Sequence, residues 1–284
     1  MDKIARIRST LDGLYERYNR RELIPPDPLQ FVYEYESAAD REIAGFFSSL
    51  LAYGRVEQIG KSLRKLFSVM EGGPHEFVST FDRTGVKALA GFKHRFTDGA
   101  TLAEMCRLLK WVIAEFGSIE GLFLEHYSAD DANILPALSG FREALLKRHR
   151  QETGRDAGRS MRYLLADPAG QSACKRMNLF LRWMVRDDDV DAGLWKGVSP
   201  AKLIVPMDVH MTRLCRFLGL YKGDSATLKS AVEVTAAFAQ IEPDDPVKYD
   251  FALSRIGIVE NCTGKKNERC KCCELLDFCL ARGF

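Results

Sequence analysis

The last part of this chain carries four cysteines whose spacing limits how it folds. Cys262, Cys270, Cys273 and Cys279, here named the cysteine motif, are spaced C-x7-C-x2-C-x5-C, with Cys272 as an additional thiol. A bound metal is favoured over disulfides, because the sequence shows no signal peptide and no even distribution of cysteines. Zinc sites usually combine two C-x2-C pairs, whereas this motif has one. The spacing therefore favours an iron–sulfur cluster, with zinc as the alternative. The missing signal peptide and the distribution of the cysteines favour a reducing, cytoplasmic compartment.

Apolar residues recur every three or four positions along most of the chain, a pattern typical of amphipathic helices. It predicts helices over residues 4–21, 40–51, 56–70, 102–116 and 134–150. The alternation expected of β-strands is almost absent, so we expect an all-α fold. The longest apolar runs are far shorter than a membrane-spanning helix requires. Because the net charge of +2 is nearly balanced, any contact with nucleic acid has to come from a local basic face.

A further helix is expected to begin near Pro206 and to stop at Gly219. One of its faces is apolar and is expected to lie against a core. That face consists of Met207, Met211, Leu214 and Leu218. Asp208 stands at the N-terminal end, where an Asp ordinarily accepts hydrogen bonds from the amides of the first turn. From this stretch alone, a capping role and a catalytic role both remain open.

The sequence M-D-V-H-M-T-R at residues 207–213, followed by the cysteine motif, resembles the endonuclease III branch of the helix-hairpin-helix DNA glycosylases. In that branch the Asp of this helix is catalytic, and a cysteine motif with a first gap one residue shorter binds a 4Fe-4S cluster. The likeness extends over residues 175–279. The whole chain also resembles a bacterial protein family related to those glycosylases, in stretches such as F-L-R-W-M at 180–184 and K-Y-D-F-A-L at 248–253.

The resemblance implies catalytic roles for two residues outside the cysteine motif. Asp208 takes the position of the carboxylate that stabilises positive charge at C1′ of the sugar while the base leaves. Lys175 takes the position of the lysine that forms a Schiff base, and the alternative is a surface lysine on a helix. Asn178 also matches the family's hairpin, but the hairpin glycines are replaced here by Ala173 and Cys174.

Two helical lobes are implied by the same resemblance. Residues 41–204 form the larger lobe with the hairpin-like segment, and residues 1–40 with 205–284 form the lobe that carries the cluster. Asp208 then lies in the cleft between them. The chain between Lys175 and Asp208 is longer than in the glycosylases. We expect its additional residues 186–200, which include an acidic run, to form a surface loop beside the cleft.

Three groups of residues are candidates for contact with DNA. The turn after the second predicted helix takes the place of a glycosylase loop that inserts a side chain into the duplex, or it is an ordinary turn. The basic end of the helix over 134–150 is a phosphate-facing patch, or it compensates the helix dipole. The loop of the cysteine motif adds further cations. The candidates are Tyr53, Arg55, Lys147, Arg148, Arg150, Lys265, Lys266 and Arg269.

These features predict a base-excision repair DNA glycosylase that acts on a damaged or mispaired base in duplex DNA. Lyase activity at abasic sites is added if Lys175 acts as a nucleophile. The alternative is a non-catalytic iron–sulfur protein that binds nucleic acid on the same scaffold. We expect a monomer with no membrane contact, and we interpret His210 as a structural hydrogen-bonding residue.

Overall fold

The computed structural model describes residues 3–170, 172–259, 262 and 268–281. The protein is mostly helical, as the sequence predicts. Its α-helices are α1 (Lys3–Tyr18), α2 (Ala38–Leu50), α3 (Val56–Phe67), α4 (Pro74–Ser79), α5 (Arg83–Leu89), α6 (Gly99–Phe116), α7 (Ile119–Leu124), α8 (Leu135–Thr153), α9 (Arg159–Leu164), α10 (Lys175–Val185), α11 (Val209–Phe217), α12 (Leu228–Ala239) and α13 (Asp250–Val259). Short 3-10 helices cover Arg21–Leu23, Pro28–Glu34, Pro200–Lys202, Glu268–Cys272 and Leu276–Phe278.

The helices expected from apolar periodicity are present as α1, α2, α3, α6, α8 and α11. The main departure is an antiparallel hairpin of β1 (Lys93–His94) and β2 (Thr97–Asp98). Its strands are too short for alternation to reveal them, because each contributes one residue to either face. None of the described helices is both long enough and apolar enough to cross a membrane.

Helix α2 forms the centre of the fold, since every residue from 42 to 50 is buried. It packs against α4, against α10 and against the 3-10 helix that precedes it. The rings of Phe46 on α2 and Phe180 on α10 lie 5.2 Å apart between centroids. A Cβ on Gly45 would come within 2.8 Å of Met184 Cε, so glycine permits the close approach of α2 and α10. This packing fixes the start of α10, which carries Lys175.

The segment 186–200 is not the surface loop that the sequence predicts. Trp195 is 2% exposed and Asp191 is 1% exposed. Arg182 of α10 and Arg186, directly after the end of that helix, both pair with Asp191: Arg182 Nε donates to Oδ1 at 3.1 Å, and Arg186 Nη1 donates to Oδ2 at 2.5 Å. Because an unpaired buried charge is costly, Asp191 is buried as the partner of the two buried arginines, whereas Asp187 and Asp189 stay exposed.

A second buried carboxylate ties the same segment to the central helix. Glu42 of α2 accepts the amide N–H groups of Ile119 and Glu120, each at 3.0 Å, and the Trp195 Nε1–H at 2.7 Å. Burial raises the pKa of Glu42, while these three hydrogen bonds act in the opposite direction. The start of α7 and the segment 186–200 are therefore both anchored to α2.

Helix α1 packs against α13. Asp12 of α1 accepts hydrogen bonds from Lys248 Nζ and from the Tyr249 hydroxyl, both at 2.8 Å. The N-terminal helix thus contacts the C-terminal part of the chain. The lobe boundary drawn between residues 40 and 41 falls inside α2, and the buried apolar side chains form one continuous cluster that includes Ile7 and Leu275.

Candidate active site

A cleft of about 720 Å³ lies where the turn between α2 and α3 meets α10, α11 and α13. Tyr53 and Gly54 contribute from the turn, Lys175 from the start of α10, Asp208 from the start of α11 and Asp250 from the start of α13. A volume of this size falls within the range of small-molecule and cofactor pockets. The two residues predicted to be catalytic, Lys175 and Asp208, therefore share one cleft with Tyr53.

Lys175 and Asp208 form an ion pair on the wall of this cleft. Lys175 Nζ lies 2.7 Å from Asp208 Oδ2, and the two side chains are 34% and 31% exposed. Helix α10 starts at Lys175 directly after Cys174, whose φ of 48° puts its backbone in the left-handed region. Non-glycine residues seldom adopt this conformation, and where they do it often accompanies a functional site. The turn at Cys174 sets the first residue of α10 at the cleft.

The carboxylate of Asp208 has two separate sets of partners. Oδ1 accepts the amide N–H groups of His210 and Met211, each at 2.9 Å, and so caps α11. Oδ2 faces Lys175. Burial alone would raise the pKa of Asp208, but the charge and hydrogen bond of Lys175 and the Met211 amide together lower it below its usual value. Asp208 is thus an ionised carboxylate at a cleft, and its geometry accommodates the capping and catalytic interpretations at once.

Four further charged residues line the cleft and were missed as site residues by the sequence reasoning: Asp27, Arg182, Asp250 and Arg255. Arg182 Nη1 donates to Asp250 Oδ2. Burial raises the pKa of Asp250, with Arg182 acting in the opposite direction. Burial alone would lower the pKa of Arg182, but Asp191 and Asp250 raise it above its usual value. The signal available in the sequence was an arginine inside the apolar stretch F-L-R-W-M, a position that requires a buried acidic partner.

His210 does not have the environment of the structural residue that the sequence predicts. It is exposed and lines the cleft next to Asp208. As the second residue of α11 it lies one turn before the buried Leu214, and both residues approach Gly257 of α13.

Tyr53 lines the cleft, but its hydroxyl group is already engaged. It donates to the His94 carbonyl at 2.9 Å and lies 2.7 Å from Thr97 Oγ1. The turn between α2 and α3 therefore supports the β-hairpin. Arg55, which precedes the first residue of α3, is exposed. Of the two residues predicted at this turn, Arg55 is the one whose side chain is open to a partner.

The basic end of α8 is paired with acidic residues near it. Arg148 Nε donates to Glu152 Oε1 at 2.6 Å, and Arg150 Nε donates to Asp156 Oδ1 at 2.8 Å. Lys147, Arg148 and Arg150 belong to the described part of the chain and are not among the residues that line the cleft. These contacts favour local charge compensation over a phosphate-binding patch.

The cysteine motif lies close to α11. Its four members are half-buried, whereas Cys272 is exposed. Arg213 Nη1 of α11 donates to the Cys262 carbonyl at 3.3 Å. Burial raises the pKa of Cys273, and a hydrogen bond from the Leu275 amide acts in the opposite direction. Within the described residues, no three His, Cys, Asp or Glu side chains are close enough together to hold a metal ion.

The predicted cations of this loop are only partly described. Lys265 and Lys266 lie outside the described residues. Arg269 lies in the 3-10 helix Glu268–Cys272. After the motif, the Leu280 amide donates to the Phe217 carbonyl at 2.6 Å, which ties this segment to the end of α11.

A family model described as Protein of unknown function (DUF2400) matches residues 27–259. The chain belongs to the DUF2400 family. Within this DUF2400 chain the matched region contains Lys175, Asp208 and the other residues of the cleft except Pro26, and it ends before the cysteine motif. No curated protein and no solved structure matches the chain.

Proposed function

We propose that this DUF2400 protein is a DNA glycosylase that removes a damaged or mispaired base from duplex DNA. The observation that supports the proposal is the contact of 2.7 Å between Lys175 Nζ and Asp208 Oδ2 in a cleft of about 720 Å³. The two residues come from different helices and are far apart in sequence. A carboxylate and an amine in contact at an open cleft are the pair that base excision with a lysine nucleophile requires.

Asp208 acts first in the proposed reaction. When the bond between C1′ and the base nitrogen breaks, its electron pair leaves with the base and positive charge develops on the sugar. The ionised Oδ2 of Asp208 stabilises that charge, because its position is fixed by the two amide hydrogen bonds to Oδ1. The low pKa of Asp208 keeps the carboxylate charged at neutral pH.

Lys175 then completes the exchange. A proton moves from its ammonium group to the departing base, the neutral amine lone pair forms a bond to C1′, and the base leaves as a neutral molecule. A second proton then moves from the nitrogen to the ring oxygen as the bond between C1′ and that oxygen breaks, which gives a protonated imine; elimination of the 3′ phosphate from this imine cleaves the strand. If water adds to C1′ in place of Lys175, the enzyme releases the base without cleaving the strand.

The cysteine motif is proposed to hold a 4Fe-4S cluster through Cys262, Cys270, Cys273 and Cys279, with zinc as the alternative. The donor set fits such a group by its chemistry, because all four donors are half-buried thiols, the ligand type that iron–sulfur clusters require. When bound, the group cross-links the C-terminal segment through metal–thiolate bonds. Iron and sulfide analysis tests this: Cys273→Ser should lose iron, whereas Cys272→Ser should keep it. One zinc per chain without visible absorption contradicts the cluster.

The function is tested with an oligonucleotide panel that contains oxidised, deaminated and alkylated bases and an abasic site. At least one substrate should show base loss, and borohydride should trap a covalent complex if Lys175 is the nucleophile. Lys175→Ala should then abolish trapping. Base loss without trapping assigns a hydrolytic enzyme. No base loss on any substrate, with DNA binding retained, contradicts the proposal and favours the non-catalytic nucleic-acid-binding protein.

A further inference from the structure

A cluster of exposed aromatic side chains lies next to the cleft. Phe96, in the hairpin turn, is 60% exposed, and Tyr163 of α9 is 40% exposed. Their ring centroids are 5.7 Å apart, and the Tyr53 ring lies nearly parallel to Phe96 at 6.3 Å. The Arg176 guanidinium lies 4.1 Å from the centroid of Tyr163 and 5.3 Å from that of Tyr53. We name Tyr53, Phe96, Tyr163 and Arg176 the aromatic platform.

The aromatic platform is continuous with the candidate active site. A recess of about 210 Å³ is lined by Tyr53, Tyr163, Arg176 and Lys175. Tyr53 and Lys175 also line the larger cleft. The platform therefore begins at the residue proposed to be the nucleophile.

The hairpin is held firmly in its exposed position. The His94 ring contacts Ser62 Oγ of α3 at 2.9 Å through Nδ1 and the Tyr53 carbonyl at 3.0 Å through Nε2. Ser160 Oγ of α9 donates to the Phe96 carbonyl at 2.9 Å. The hairpin is thus attached to α3, to the turn before it and to α9. Phe96 remains open to solvent although its backbone is fixed, so binding through its ring costs little additional ordering.

The hairpin turn also carries backbone strain. Arg95 has a φ of 49°, and among the described non-glycine residues only Arg95 and Cys174 have a positive φ. Both lie beside Lys175 or the aromatic platform, a distribution typical of a functional region. A Cβ on Gly54 would lie 3.1 Å from Arg95 Cδ, so the Arg95 side chain crosses the turn that lines the cleft. Arg95 and Arg55 are both exposed and supply positive charge beside the platform.

The geometry points to the aromatic platform as the surface that stacks on unpaired DNA bases. Phe96 fills the gap in the base stack of the duplex that remains when a nucleotide enters the cleft. Aromatic faces stack on any base, and neighbouring arginines neutralise phosphates, which together favour DNA over an apolar protein partner. The inference rests on the proposed function and deepens it. It assigns the DNA-inserting role to the hairpin rather than to Tyr53, whose hydroxyl is engaged.

The test measures DNA affinity by fluorescence anisotropy with the full chain. Two labelled duplexes are compared, one fully matched and one with a tetrahydrofuran abasic analogue. Phe96→Ala should weaken binding to the abasic duplex by about 5- to 150-fold, the range expected for loss of one aromatic stacking contact. Phe96→Tyr should retain the affinity. Ile4→Ala is the matched control, because Ile4 is 41% exposed on α1 and does not line the cleft.

The salt dependence separates stacking from charge. Phe96→Ala should leave the slope of log affinity against log salt unchanged, whereas Arg95→Ala should reduce it by about 0.9 for one lost phosphate contact. If Phe96→Ala and the wild type bind the abasic duplex with equal affinity, the inference is overturned. The proposed function is unaffected by that result, because the wild type still binds DNA. Equal losses in Phe96→Ala and Ile4→Ala also overturn it. Absence of DNA binding by the wild type overturns both proposals.

Discussion

Replacing Asp208 with Asn separates the two roles of its carboxylate. In the structure Oδ1 caps α11 through two hydrogen bonds of 2.9 Å, while Oδ2 contacts Lys175 at 2.7 Å. Asn keeps an oxygen for the cap, and Asn and Asp are nearly equal as N-cap residues. The lost ion pair is about one-third exposed and therefore contributes at most about 1 kcal/mol to stability. We expect Asp208→Asn to fold with nearly the stability of the wild type.

Activity should respond far more strongly than stability. Loss of one fixed group that stabilises a developing charge costs about 2.7–4 kcal/mol, or roughly 10²- to 10³-fold in rate. Asp208→Ala should show the same loss of activity and should also lose the cap, which lowers the free energy of unfolding by about 0.5–2 kcal/mol more. The two variants should therefore differ in stability and agree in activity.

The assay is single-turnover base release on a substrate found with the oligonucleotide panel, with unfolding in urea measured in parallel. Asp82→Asn is a matched control, because Asp82 caps α5 through Thr84 and Gly85 and does not line the cleft. It should leave base release unchanged. Activity of Asp208→Asn within a few-fold of the wild type would refute the charge argument. A loss of stability in Asp208→Asn as large as in Asp208→Ala would refute the separation of roles.

Two further predictions concern stability. Asp191→Ala should lower the free energy of unfolding by up to about 3–5 kcal/mol, because it removes the buried carboxylate that Arg182 and Arg186 share, although Asp250 still pairs with Arg182 and Asp245 with Arg186. The exposed Asp189→Ala on the same segment should change it little in denaturant titrations. Burial lowers the pKa of His94 below its usual 6.5, and Arg95 acts in the same direction. As the pH falls, His94 therefore binds a proton in the unfolded chain before it does so in the folded protein. The contribution of His94 to stability should be full above pH 6.5 and should decrease below that pH. His94→Gln should make the thermal unfolding temperature less dependent on pH in this range.

The main helices could be predicted from the sequence because their signals are local. Apolar spacing gave α1, α2, α3, α6, α8 and α11, since the residues that face the core recur at the helical period. The cap of α11 was equally accessible, because Asp208 bonds to amides two and three residues further on. The hairpin around Phe96 could not be predicted, because a strand of two residues is too short to show alternating polar and apolar residues.

The segment 186–200 shows where charge patterning misleads. Its acidic run resembles a solvated loop, yet Asp191 is buried between Arg182 and Arg186. Arg182 lies on α10 and Arg186 directly follows it. The sequence shows an arginine inside an apolar stretch, but it does not show which acidic residue pairs with it. A charged side chain is buried only where the fold places a partner of opposite charge next to it.

The sequence by itself determined the helical class of this protein, the N-cap at Asp208 and the candidate residues Lys175 and Asp208. Only the tertiary structure decided that Lys175 Nζ and Asp208 Oδ2 lie 2.7 Å apart, that Arg182 and Asp250 line the same cleft, and that the hairpin stands beside it. Helix propensity and capping depend on neighbours within about one turn. The contact between α10 and α11 depends instead on how α2, α10 and the segment 186–200 pack together, and such long-range packing is not encoded in any short stretch of residues.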